Sequence, residues 1–195
     1  LVTCNNQNIA IEDLRAKCLY ECEFDVVQTT NPQNGVHSGQ LVSLNETYHR
    51  FHQYDYVIHT TPDVYLVDDA PLIALLQEEL YSENHMIVDY HPYHPFCEQL
   101  YCTDFFVFKP NKTPNFWGDP LLPDAHCIES QLYKKIHELH IPHRTICRGK
   151  TSLNWQVDDY GLIHNHNMDI IKNILEHNIR PDQATAFSHN TISTK

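Results

Sequence analysis

The sequence predicts a single-domain α/β fold, a central mixed and mostly parallel sheet flanked by helices. Three observations carry that prediction. Short β-branched and aromatic runs alternate along the chain with segments of helical apolar spacing, the pattern of βαβ-type sheets with helices on their faces. The chain has 195 residues, of which 42% are apolar, a single-domain length with enough apolar surface for one continuous core. No internal repeat or heptad pattern interrupts the alternation. We place the domain at residues 1–180 and a polar tail at 181–195, because a terminal stretch without apolar periodicity has little to dock with.

Taken in order, the first strand ends near Thr3, and residues 9–20 follow as a helix with Ile11, Leu14, Cys18 and Leu19 on its apolar side. Phe24-Asp25-Val26-Val27-Gln28-Thr29 reads as a short strand, closed by the turn residues Asn31-Pro32-Gln33-Asn34-Gly35. Over residues 39–51, Leu41, Leu44, Tyr48 and Phe51 share one helical side. Tyr56-Val57-Ile58 is an apolar run of the kind found in the middle of a parallel sheet, and Pro62 breaks its ladder just before Asp63. Extended structure resumes at Val64-Tyr65-Leu66-Val67, and Asp68-Asp69 opens a helix over 70–81 through N-cap and macrodipole preferences. Met86-Ile87-Val88 and Phe105-Phe106-Val107-Phe108 are two further strands, separated by a loop over 91–97 rich in proline and histidine. The proline-rich residues 110–124 form a long irregular connection. Ile128, Leu132, Ile136 and Leu139 mark one helix, and Ile170, Ile171, Ile174 and Leu175 mark another.

Charge narrows the partners. With 25 acidic and 13 basic side chains the formal net charge is −12, so the mean field repels nucleic-acid backbones and anionic lipid surfaces. A nucleotide still binds where one divalent cation outweighs that field locally. The longest apolar runs, such as residues 72–76, are far short of the ~20 residues of a membrane span, and the start does not resemble a signal peptide. The seven cysteines, at 4, 18, 22, 97, 102, 127 and 147, are odd in number and lack C-x-x-C pairs, which fits a reducing, cytoplasmic compartment. Two sequons, at Asn45 and Asn111, matter only in a secretory lumen. The 15 histidines make net charge and stability pH-sensitive.

In open α/β sheets, ligands bind beyond the carboxyl ends of the strands. Asp63 stands at such an end, where its carboxylate can bind Mn²⁺ or Mg²⁺ while phosphate oxygens complete the shell. As the residue after Pro62 it is equally at home in a plain turn. The segment Gln53-Tyr54-Asp55-Tyr56-Val57-Ile58-His59-Thr60-Thr61-Pro62-Asp63-Val64-Tyr65-Leu66 resembles the strand, motif and following strand of GT-A glycosyltransferases. In that family an Asp-x-Asp motif at the strand end holds the metal-bound diphosphate of a nucleotide sugar. Only the second aspartate is retained, as Asp63, and Thr61 stands at the position of the first. A hydroxyl is a weaker metal ligand than a carboxylate.

The resemblance implies a GT-A-like fold, a nucleotide-sugar donor (foremost a UDP-sugar), a hydroxyl acceptor on a glycan or polysaccharide, and Mn²⁺ or Mg²⁺. By the family's order of elements, Thr3 and Asn5 would hold base and ribose, with Gln28 or Thr29 beside them. Gly39 and Gln40 would lie near the nucleotide, on the segment that leads into a helix beneath the donor. Each of these residues also serves as an ordinary turn or surface position. Cys102-Thr103-Asp104-Phe105-Phe106-Val107-Phe108-Lys109-Pro110 is similar to the family strand beside the acceptor, and the helix near Cys127 carries Glu129 in its first turn. Displacing a nucleoside diphosphate needs a base for the acceptor hydroxyl, which the resemblance assigns to Glu129, with Asp104 as its rival. Glu129 also suits the helix dipole without any catalytic role.

Late in the chain, Asp158-Asp159-Tyr160-Gly161-Leu162-Ile163-His164-Asn165-His166-Asn167 resembles the histidine segment that returns a third ligand to the metal. At most one of the two histidines is expected to reach the site, and His166 is favoured over His164 as the ligand because His164 continues the apolar alternation of Leu162. His91, His94 and Cys97 read as zinc ligands only if a fourth donor joins them. The chain has no G-x-S-x-G, G-x-x-x-x-G-K-[ST] or G-x-G-x-x-G signature. Two alternatives stand beside the metal-assisted transferase. One is a non-catalytic sugar- or nucleotide-binding module with a degenerate metal site; the other is a metal-dependent hydrolase built on the histidines.

Overall fold

The computed structural model describes residues 2–4, 25–30, 36–61, 64–66, 68–90, 100–119, 127–147 and 158–164. In chain order these form β1 (Val2–Cys4), β2 (Val26–Gln28), α1 (Val36–Thr47) continued by a 3₁₀ turn at Tyr48–Arg50, β3 (Val57–Thr60), β4 (Val64–Leu66) and α2 (Ala70–Glu79). They continue with β5 (Met86–Tyr90), β6 (Tyr101–Phe108), α3 (Ile128–Glu138), β7 (His143–Ile146) and β8 (Leu162–His164). The chain is α/β, with a mixed four-stranded sheet in the order β3-β6-β5-β7. The parallel pair β1-β2 and the antiparallel pair β4-β8 form two further ladders.

The expectation of a mostly parallel sheet needs correcting at the level of its ladders. β3, β5 and β7 point the same way, but β6 lies between β3 and β5 and runs against both, so that within the four-stranded sheet β5 and β7 pair in parallel and the other two ladders are antiparallel. Antiparallel neighbours need no crossover connection, and β6 pairs directly with the strand that precedes it. β3 is a second correction. Expected in the middle of a sheet, it is paired among the described residues with β6 alone, and its burial alternates, with Val57 and His59 turned inward and Ile58 43% exposed. Its period of two is that of a strand covered on one face.

β6 is the strand covered on both faces. Phe105, Phe106, Val107 and Phe108 are each 0% exposed, which explains the unbroken apolar run. Phe106 and Phe108 pack with Leu44, Tyr48, Phe51, Trp117, Leu132 and Ile136 in the core beneath α1 and α3. Phe105 and Val107 face the opposite core, where Leu72 and Leu75 of α2 meet Val64 of β4 and Leu162 of β8.

The helices follow their apolar spacing, with shifted ends. α1 starts at Val36, upstream of the expected 39. α2 is opened by Asp68, whose Oδ1 accepts a hydrogen bond from the Ala70 amide at 3.1 Å, and Asp69 makes no side-chain cap. In α3, Ile128, Leu132 and Ile136 are buried as their spacing predicts, while Leu139 follows the helix and is 42% exposed. Among the described residues no helix is long and apolar enough to cross a membrane. The expected helix at 9–20, the turn at 31–35, the loop at 91–97, the helix around 170–175 and the tail at 181–195 lie outside the described residues. So do Asn5, Asp63, His91, His94, Cys97 and His166.

Candidate functional site

The register between β5 and β6 breaks near their ends. Val88 pairs with Phe106 and Tyr90 with Tyr101, so two steps along β5 answer five along β6. A bulge of this kind leaves extra residues unpaired and re-aims their side chains. Here Cys102, Thr103 and Asp104 fall within the shift and lie beside the carboxyl end of β3, where Thr61 donates its amide to the Asp104 carbonyl at 3.0 Å. Two polar clusters result, on Asp104 and on Thr103.

Around Asp104 three distant segments meet. The Thr61 hydroxyl points at Oδ1 from 3.5 Å, the Cys102 thiol donates to Oδ2 at 3.4 Å, and Nε2 of the buried His164 lies 3.4 Å from the same Oδ2. The antiparallel ladder that pairs Val64 with His164 brings the imidazole in, and the Val64 amide donates to the Thr61 carbonyl at 3.1 Å. The alternation that was read as turning His164 toward the core holds, since Leu162 is buried in the core beneath α2. That face ends at Asp104.

The second cluster ties α1, β3, β6 and α3 together. The Gln40 side-chain amide donates to the Thr103 carbonyl at 2.6 Å and lies 2.6 Å from Nε2 of His59. A carbonyl partner identifies that Gln40 atom as the NH₂ group, so His59 Nε2 accepts and its proton sits on Nδ1. The Thr103 hydroxyl in turn donates to Oε1 of Glu129 at 3.2 Å, in the first turn of α3, where a carboxylate is also favoured by the helix dipole.

Burial pushes His59 from the ordinary 6.5 down to about 4, against an opposing pull from the Thr103 carbonyl. Its ring stacks on Phe106 with centroids 4.6 Å apart. A depressed value in the folded state means that between about pH 4 and 6.5 the unfolded chain binds the proton and the folded chain does not. The stability from neutral His59 is therefore complete above pH 6.5 and is lost as pH falls through that window, by roughly 2–3 kcal/mol. Urea unfolding at pH 7 and pH 4.5 checks this. The wild type should lose more stability between the two than His59→Gln does, and equal losses would refute it.

The other sequence-predicted positions are spread more widely. Thr29 is buried with its hydroxyl 2.8 Å from that of Ser43, which makes it a tie between β2 and α1 rather than open surface. Gln28 is exposed at the end of β2, Gly39 is buried within α1, and Thr3 belongs to β1. Sequence reasoning missed His59, Thr103 and Cys102. His59 sits one residue before Thr60-Thr61 in an apolar run, and nothing local distinguishes it from an inward-facing histidine.

Among the described residues no three His, Cys, Asp or Glu side chains gather to hold one metal ion. Oδ2 of Asp104 and Nε2 of His164 are two donor atoms that face each other. Ligands about 2.1 Å from a cation lie about 3.0 Å apart at a right angle and about 3.4 Å apart at the tetrahedral angle. The Oδ2 to Nε2 separation is 3.4 Å. No protein-family model matches the chain, and no curated protein matches it either.

Proposed function

We propose that the chain is a glycosyltransferase that moves a sugar from a nucleotide-diphosphate donor, foremost a UDP-sugar, to a hydroxyl on a glycan or polysaccharide, on a GT-A-like fold. One observation supports this reading above the others. Thr61, Asp104 and His164, singled out separately in the sequence and far apart along it, meet beyond the carboxyl end of β3, the side on which α/β sheets bind ligands. Mn²⁺ or Mg²⁺, held by Asp63 with His164 or His166, would neutralise the charge that develops on the leaving diphosphate. Glu129, at the first turn of α3 and steadied by Thr103, would take the acceptor hydroxyl proton, with Asp104 as the competing base.

The test is turnover of a UDP-sugar panel with and without Mn²⁺. The expected result is cation-dependent release of UDP, with Glu129→Gln lowering kcat by about 10²- to 10⁴-fold while KM for the donor changes little. The threonine at the first motif position favours a second reading, a binding module without catalysis. Nucleotide binding with no turnover for any donor would establish that module instead.

A further inference from the structure

We infer that Asp104 supplies the carboxylate missing at Thr61, so that a divalent cation is held across two strands, by Oδ2 of Asp104 on β6 and Nε2 of His164 on β8. Four features of the site lead there. The register of β5 on β6 shifts between Phe106 and Tyr101, and Asp104, whose carbonyl accepts the Thr61 amide, lies inside that shift where β3 ends. The Thr61 hydroxyl is directed at Asp104 Oδ1 from 3.5 Å, so the carboxylate occupies the space beside the position where the motif lacks its own. His164 is buried, and its Nε2 faces Oδ2 at 3.4 Å, long for a hydrogen bond and within about 0.4 Å of the separation of two adjacent donors on one octahedral cation. Asp104 remains partly exposed, which leaves a side open to water and to an anionic ligand.

The carboxylate oxygen suits a hard cation such as Mn²⁺, for which an imidazole nitrogen is an acceptable second donor and phosphate oxygens are favoured further ones. Asp104 and His164 by themselves hold the ion weakly, and phosphate oxygens that join them make the binding firmer. Cys102 donates to the same Oδ2 at 3.4 Å, so its sulfur stays a neighbour of the carboxylate and the charge at the site comes from Asp104. Once Asp104 holds the cation, the proton-accepting role falls to Glu129 alone. The inference rests on the transferase reading for that last consequence, for the nucleotide and for the motif position at Thr61, while the approach of Asp104 to His164 stands on geometry.

The test is Mn²⁺ titration of the full chain, with free Mn²⁺ read by electron paramagnetic resonance, alone and with UDP present. Asp104→Asn should weaken Mn²⁺ binding by about 10- to 100-fold, and the double variant Thr61→Asp/Asp104→Asn should recover most of the loss, because the carboxylate is moved and not removed. Thr61→Asp alone places two carboxylates side by side. It should lower the thermal midpoint without cation, and Mn²⁺ should then raise it by more than in the wild type. Near-ultraviolet circular dichroism establishes that each variant is folded. Unchanged Mn²⁺ affinity in Asp104→Asn overturns the inference, as does a wild type that binds no Mn²⁺, and as does a Thr61→Asp protein that Mn²⁺ stabilises no more than the wild type. Mn²⁺ binding that follows this pattern without turnover of any UDP-sugar upholds the cation site and rejects the transferase. Turnover that needs Mn²⁺ and is indifferent to Asp104→Asn does the reverse.

Discussion

Phe106→Ala should destabilise the protein by about 3–5 kcal/mol, the range for an aromatic ring removed from a packed core. Phe106 is 0% exposed, with its ring stacked on Trp117 at 5.2 Å and tilted against Phe108 at 6.1 Å. Its other face carries His59 at 4.6 Å. The surroundings cannot close over the gap easily, because β6 is held by strands on both edges and packed on both faces. For a chain of this length the thermal midpoint should fall by about 6–20 °C. Denaturant unfolding should show a lower midpoint with an unchanged slope, and a loss below about 1 kcal/mol would mean that the ring is not packed as described. Loosening His59 also loosens Gln40 and, through the Thr103 carbonyl, the part of β6 whose Thr103 hydroxyl bonds Glu129.

The second large effect is expected at Gly161. It adopts φ 77°, in the left-handed region, and a Cβ there would meet the Asp68 carbonyl oxygen at 1.8 Å. Neither partner is a side chain that can swing aside, and the Asp68 amide is itself bonded to the Gly161 carbonyl at 3.3 Å. Asp158 tightens the same turn, its Oδ1 accepting from the amides of Tyr160 and Leu162, each at 2.9 Å. Gly161→Ala must therefore push β8 from β4, at a cost of about 3 kcal/mol or more, and should carry His164 away from Asp104. The expected readings are a thermal midpoint at least ~6 °C lower and weaker Mn²⁺ binding in whatever fraction stays folded. Gly118→Ala is the control. Its Cβ would meet only the exposed Asn45 side chain at 2.8 Å, which can turn away at the cost of one hydrogen bond from Asn115, so the loss should stay below about 1.5 kcal/mol. A Gly161→Ala protein no less stable than Gly118→Ala would contradict the turn geometry.

Some of the fold could be read from local chemistry. The Phe105-Phe106-Val107-Phe108 run announced a strand, though not that this strand and not β3 is covered on both faces, and Ile128, Leu132 and Ile136 announced the apolar side of α3. β7 was not legible, because His143-Arg144-Thr145-Ile146 has neither an apolar run nor a clean alternation. It becomes a strand through its parallel pairing with β5, a partner more than fifty residues away. The site was partly legible in the same sense. Asp104, Glu129 and His164 could be named from motif likeness, whereas His59 and Thr103 enter only because Gln40 reaches both.

The sequence by itself determined the alternation of strands and helices, the acidic surface and the identity of the chemically capable side chains, since these depend on residues close together in the chain. Only the tertiary structure decided that β6 runs between β3 and β5, that Asp104 lies inside its register shift where β3 ends, and that β8 lays His164 against it. Strand order, register and bulges are settled by packing between segments remote in sequence, and no local propensity encodes which of them will meet.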